Sequence, residues 1–172
     1  MLTLLKLLQS LVKTLHSEGT PAQISLGVAL GASLGLTPLV NAHNLVVLVL
    51  LAVLNVSFGA GLLAWALFVP VGFMLDPAFD AVGRWLLMDS ATLRPVWASL
   101  ENVPGIALTN FNNTVVLGSV VGWLVLFLPI FFLTRFAVLR YRATLGERVR
   151  QSHFYKLLSA SKAYNVYRWF RP

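Results

Sequence analysis

The sequence predicts an all-α, polytopic helical membrane protein. Its parts are a Gly-rich hairpin of two short helices, either re-entrant or fully spanning, two full spans and interfacial amphipathic helices. Three observations carry this. First, the 172 residues are 58% hydrophobic and only 11% charged, against roughly 25% charged in a soluble domain. Second, residues 19–75 and 102–134 contain no Asp, Glu, Lys or Arg, and about 20 apolar residues cross ~30 Å of hydrocarbon. A soluble fold has no use for such runs, because its surface helices must show water a polar face. Third, nine of the 13 basic residues lie between Arg135 and Arg171, opposed by Glu147 alone. Such an excess marks the cytoplasmic side of a span. The composition excludes intrinsic disorder. The absence of cysteine excludes a disulfide framework, an iron–sulfur site and a thiol nucleophile.

The elements follow in order within a single membrane domain. Residues 1–17 read as an amphipathic interfacial helix. Leu4, Leu5, Leu8, Leu11, Val12 and Leu15 share one face, and Lys6, Gln9, Ser10 and Lys13 the other. Lys6 and Lys13 interrupt the apolar stretch that a signal peptide needs. Thr20-Pro21 starts the next helix, with a capping hydroxyl and a proline in the first turn. Thr37-Pro38 ends it, and residues 21–54 form the hairpin. Residues 56–75 form a span that contains Gly59, Gly61, Pro70 and Gly72, so a kink or a close contact is expected. Asp76-Pro77 is expected to end it. Residues 76–112 form an external segment of one or two short helices with Trp85 and Trp97 at the interface. Residues 114–134 form the last span, and 135–172 a basic cytoplasmic tail. Working back from that tail puts both termini in the cytoplasm.

The run from Ser17 to Asn55 also carries a family likeness. It holds Pro21, Ile24, Gly27, Ala29, Gly31, Gly35 and Pro38 at set spacing, then Asn41-Ala-His43-Asn44 and a short apolar stretch closing on Asn55. Phe111-Asn-Asn-Thr114 precedes the last span. This pattern resembles the bacterial membrane proteins grouped as domain of unknown function 2062, over roughly residues 17–140. The resemblance implies a bacterial cytoplasmic-membrane address and brings no reaction, substrate or cofactor.

Several side-chain groups are candidates for function. Asn41, His43 and Asn44 form a polar hairpin tip. They either line a pocket for a head group, ion or partner, or cap the helices and bond to carbonyls freed at Pro38. Gly27, Gly31 and Gly35 make a stripe that admits close helix packing. It faces either a partner or second copy, or the protein's own hairpin arm. Arg140, Arg142, Arg148 and Arg150 suit the anionic inner leaflet. Asn110, Asn112 and Asn113 suit capping of the last span or an external ligand. Asp76, Asp80 and Arg84 at i, i+4, i+8 suit a helical ion-pair ladder, or, for the two Asp, a metal pair that lacks an evident third ligand.

Gly31-Ala-Ser33-Leu-Gly35 matches the nucleophile-elbow pattern, with His43 downstream. That pattern works on a strand–turn–helix elbow, whereas here it falls in an apolar helix. No metal-ligand or phosphate-loop motif appears. No enzyme activity, cofactor or nucleic-acid partner is therefore expected. The reading is a non-enzymatic accessory or scaffold subunit of a cell-envelope complex, in contact with membrane lipids and with another membrane or periplasmic protein or itself. The alternative is a small oligomeric transporter, channel or lipid-handling protein with its site in the hairpin.

Overall fold

A computed structural model describes residues 19–103 and 105–144 of the protein. The expected helix at 1–17 and the tail beyond residue 144 lie outside the described residues. The elements are α1 (Pro21–Leu36), α2 (Ala42–Val53), α3 (Phe58–Arg84), a π-helical turn (Trp85–Asp89), α4 (Arg94–Glu101), a 3₁₀ turn (Ile106–Thr109) and α5 (Thr114–Thr144). The described residues contain no strand. Gly19–Arg135 makes one compact unit, and Phe136–Thr144 at the end of α5 belongs to a second.

α1 starts where Thr20 and Gln23 form a reciprocal capping box. The Gln23 N–H donates to Thr20 Oγ1 at 3.2 Å, and the Thr20 N–H donates to Gln23 Oε1 at 2.8 Å. It stops at Thr37, which is extended (φ −100°, ψ 148°), as the residue before a proline tends to be. Most of α1 is buried, including Ile24, Ala29, Ala32, Leu34 and Leu36, so it is the central helix of the unit. α2 returns antiparallel. At the base of the hairpin, Gln23 Nε2 donates to Asn55 Oδ1 at 2.8 Å and the Ser57 N–H donates to Gln23 O at 3.0 Å. These bonds bring the hairpin back to the level at which it began.

The Gly27, Gly31 and Gly35 stripe faces α3. A Cβ on Gly27 would lie 2.4 Å from Ser57 O, one on Gly31 2.0 Å from Gly61 O, and one on Gly35 2.7 Å from Phe68 Cβ. From the other side, a Cβ on Gly72 would lie 2.4 Å from Gly35 O. These approaches admit only glycine, and close packing is what holds apolar helices together without a hydrophobic drive between them. The contacts climb both helices in the same direction, so α1 and α3 run parallel. The stripe therefore meets a third helix of the same chain, where the sequence pointed to the hairpin's second arm or a partner.

That register fixes the height of the hairpin tip. It ends opposite Phe68–Gly72, roughly 15–21 Å along α3 at 1.5 Å per residue. α3 has 27 residues, about 40 Å, so the tip is level with its middle.

α3 does not end at Asp76-Pro77 as expected, but runs on to Arg84 through Pro70 and Pro77. The reason is its contact with α5. A Cβ on Gly83 would lie 1.8 Å from Thr114 O, and one on Gly118 1.8 Å from Phe79 O. Thr114 Oγ1 and Arg84 both hydrogen-bond Asp80. Asn113 Oδ1 caps α5 by accepting from the N–H groups of Val115 at 3.0 Å and Val116 at 3.2 Å. α5 also outruns its expected end at 134, carrying Arg135, Arg140 and Arg142 within the helix. The rest of 76–112 is compact: Trp97 Nε1 donates to Leu86 O at 2.9 Å, and Arg94 donates to Met88 O. Two stretches, Phe58–Asp89 and Thr114–Thr144, are long and apolar enough to cross a membrane.

Candidate functional site

The turn between α1 and α2 is held by side-chain bonds rather than backbone ladders. Pro38 blocks continuation of α1 and frees carbonyls that need donors. Asn41 is the N-cap of α2: its Oδ1 accepts from the Asn44 N–H at 2.8 Å, and its Nδ2 donates to Pro38 O at 2.5 Å. Asn44, itself buried, donates through Nδ2 to Pro38 O at 2.8 Å and Leu39 O at 3.3 Å. The buried Thr37 hydroxyl has two acceptors for its one proton, Ser33 O at 2.8 Å and Asn44 Oδ1 at 2.5 Å.

Ser33 and His43 meet across the hairpin, with Oγ and Nε2 2.7 Å apart. The imidazole tautomer decides which of them donates. The His43 ring also stands edge-on to Trp123, with centroids 5.3 Å apart. Trp123 Nε1 in turn donates to Ala29 O at 2.8 Å. This chain of contacts ties α1, α2 and α5 together at one level. A serine hydrogen-bonded to a histidine is the arrangement of an activated nucleophile. Ser33 itself is wholly buried, and the contact joins α1 to α2 just below the tip.

Beside the tip lies an open groove of about 710 Å³. Leu34, Leu45 and Leu48 of the hairpin wall it, with Trp65 of α3 and Leu108 and Asn110 of the connection before α5. Asn110 stands in the left-handed region at φ 52°, which asparagine tolerates. Its Nδ2 reaches back to Val40 O at 3.2 Å and latches the connection to the tip. Trp65 Nε1 is buried without a hydrogen-bond partner, which costs roughly 1–3 kcal/mol for a polar group.

Of the residues singled out in the sequence, Asn41, His43 and Asn44 come together at one tip, with Ser33 and Thr37 added. Asn110 joins them from 70 residues away, while Asn113 goes to the helix cap. Arg140 is exposed on the last turns of α5, its guanidinium 5.4 Å from the Phe136 ring centroid. Arg142 is in the same turns, and Arg148 and Arg150 lie outside the described residues. Trp65 and Trp123 escaped sequence reasoning. The signal for both was an indole N–H in an uncharged segment, which must find a partner or be left without one. Among the described residues, no group of three or more His, Cys, Asp or Glu could hold a metal ion.

Comparison with known proteins gives a consistent result. The family described as "Uncharacterized protein conserved in bacteria (DUF2062)" matches residues 6–145. A protein of Treponema pallidum (strain Nichols), described as "Uncharacterized protein", is 29% identical over 155 residues, covering 90% of this chain and 95% of its own length. No solved structure matches the chain.

Proposed function

We propose, from the premise that the chain belongs to the DUF2062 family of bacterial proteins, that it is a multi-pass protein of the bacterial cytoplasmic membrane, with both termini in the cytoplasm. Its re-entrant hairpin handles a lipid or another membrane-dissolved solute and catalyses no reaction on it. Support for the membrane comes from exposure. In each long helix only 22% of the most apolar window is buried, whereas the core helix of a soluble protein is buried on most sides. Phe73, Met74, Val125 and Leu133 are at least 68% exposed and need an apolar solvent.

One observation above the others supports the solute site: a hydrogen-bonded break in a helix pair, level with the middle of α3 and opening onto an apolar groove. Irregular backbone at membrane depth is tolerated where protein or a cavity shields it, and broken helices carry the substrate sites of many transporters. Arg140 and Arg142, in the last turns of α5, then face the anionic inner leaflet, each adding about 1 kcal/mol.

A second reading is an accessory or scaffold subunit of a cell-envelope complex. It is favoured by the exposed apolar face of α5, where Leu124, Leu128 and Phe132 are 57–59% exposed. The Gly27–Gly31–Gly35 stripe lends it little, because α3 of the same chain occupies that face. Purification of the C-terminally tagged protein at native expression level, in mild detergent, separates the two. Mass spectrometry showing one retained lipid or solute on the protein alone, or on copies of itself, supports the solute-handling reading. A stoichiometric membrane or periplasmic partner without a retained lipid replaces it with the second.

A further inference from the structure

We propose that the 3₁₀ turn Ile106–Thr109 is a strap that closes the outer side of the hairpin tip, latched by the Asn110 side chain on the Val40 carbonyl. This rests on the proposed orientation of the hairpin, and it adds to that reading the control of access to its groove.

The placement of the turn suits a closure. It touches α2 on one side and α4 on the other, so it stands between the tip and the segment that faces outward in that orientation. Leu108 and Asn110 supply the groove wall there. The chain dips to reach this place. α5 begins at Thr114 beside Gly83, whereas Asn110, four residues earlier, already meets the tip.

The turn is one piece between two swivels. Inside it, the Leu108 N–H donates to Gly105 O at 3.1 Å and the Thr109 hydroxyl to Ile106 O at 2.7 Å. At its ends stand Gly105 at φ 88° and Asn110 at φ 52°, the two positive-φ positions among the described residues. A Cβ on Gly105 would meet nothing within 4 Å, so glycine serves the backbone angle there rather than a close contact. Beyond Asn110 the chain is anchored. Phe111 packs against Trp97 with ring centroids 6.0 Å apart, and Asn113 caps α5. Rotation at the two swivels therefore moves the turn while α4 and α5 stay in place.

The hold on the tip is slight. Among the described residues one hydrogen bond joins the strap to the hairpin, from Asn110 Nδ2 to Val40 O at 3.2 Å, and it is exposed. Leu108 is 74% exposed, so burial adds little. Segments with few buried contacts and exposed hydrogen bonds open locally at low cost. Asparagine serves the latch twice, because it tolerates the left-handed backbone and its amide supplies the donor. Loss of one neutral hydrogen bond shifts an opening equilibrium about fivefold.

The test reads access from the outer water. Ala42→Cys puts a thiol at a half-buried position that lines the groove, in a chain without other cysteines. Its rate of reaction with a membrane-impermeant maleimide is followed in intact spheroplasts. With Asn110 in place the rate is expected to lie well below that of Ala91→Cys on the outer segment. Adding Asn110→Gly, which keeps the positive φ and removes the amide, is expected to raise it about fivefold or more. Asn110→Asp keeps the backbone and turns the donor into an acceptor facing Val40 O. It is expected to act in the same direction, and it replaces Asn110→Gly if that variant does not insert. Asn102→Ala, which removes a bond to Ala98 O inside the outer segment, is expected to leave the rate unchanged. A rate unmoved by the Asn110 variants overturns the latch. A rate equal to that of Ala91→Cys with Asn110 in place overturns the closure. Reaction of Ala91→Cys only after the inner face is opened overturns the proposed orientation and the outward strap together.

Discussion

Ser33 and His43 are ten residues apart in sequence and 2.7 Å apart in space. The same contact serves as a structural pin or as a nucleophile–base pair, and the two make opposite predictions. As a pin, Ser33→Ala leaves His43 Nε2 without its partner, expected to cost roughly 1–3 kcal/mol. Ser33→Ala with His43→Phe removes both polar partners and should cost less than the two single changes added together. Thermal unfolding in detergent of the four proteins of this cycle measures the coupling. Single variants that keep full stability yet lose all cellular activity would instead mark a catalytic pair. The tip residues were legible as a polar group from Asn41-Ala-His43-Asn44. The bond to Ser33 was not, because its register across the hairpin depends on how far the Thr37-Pro38 break turns the chain.

At the scale of elements, the glycines set the register between helices. Gly31→Ala places a methyl group 2.0 Å from the Gly61 carbonyl oxygen. α1 and α3 must part to admit it, at a cost in the range of about 1–3 kcal/mol for overpacking, and Gly31→Leu is expected to prevent stable insertion of the hairpin. Gly59 is the control. A Cβ there meets nothing within 4 Å, so Gly59→Ala should be neutral or gain up to about 1 kcal/mol. Detergent melting curves of the two alanine variants should therefore move in different directions. If Gly31→Ala melts with the parent, the close approach of α1 to α3 is wrong.

Local rules located the two hairpin helices, since Thr20-Pro21 and Thr37-Pro38 start and stop α1 through side-chain and proline geometry alone. They failed at Asp76-Pro77. There Gly83 and Gly118 each lie against the opposing helix's backbone, holding α3 and α5 together past a signal that would otherwise end the helix. They were likewise silent on the partner of the Gly stripe, because a small-residue stripe specifies closeness without specifying to what.

At the scale of the whole molecule, a hairpin that returns to its starting level makes a distinct topology. α1 begins beside Asn55 and Ser57, the tip reaches the middle of α3, and α3 goes on past it, packed against α5, toward the connection that carries α4. With the proposed cytoplasmic termini, the turn at Leu54–Ser57 faces the cytoplasm, the tip stays within the hydrocarbon and the α4 region faces outward. The chain contains no cysteine, so single substitutions report one position each. Ala91→Cys should react with a membrane-impermeant maleimide in spheroplasts. Leu54→Cys should react only after the inner face is opened. Val40→Cys, although 87% exposed on the protein, should stay unreactive from both sides, because a thiol in hydrocarbon ionises too little to attack. Reaction of Val40→Cys from outside in intact spheroplasts would mean that α1 and α2 cross the bilayer. Such a crossing would require a bilayer of ~30 Å of hydrocarbon to thin around helices of 16 and 12 residues, roughly 24 and 18 Å long. That mismatch, set by chain length alone, is the physical reason to expect the tip to stop halfway.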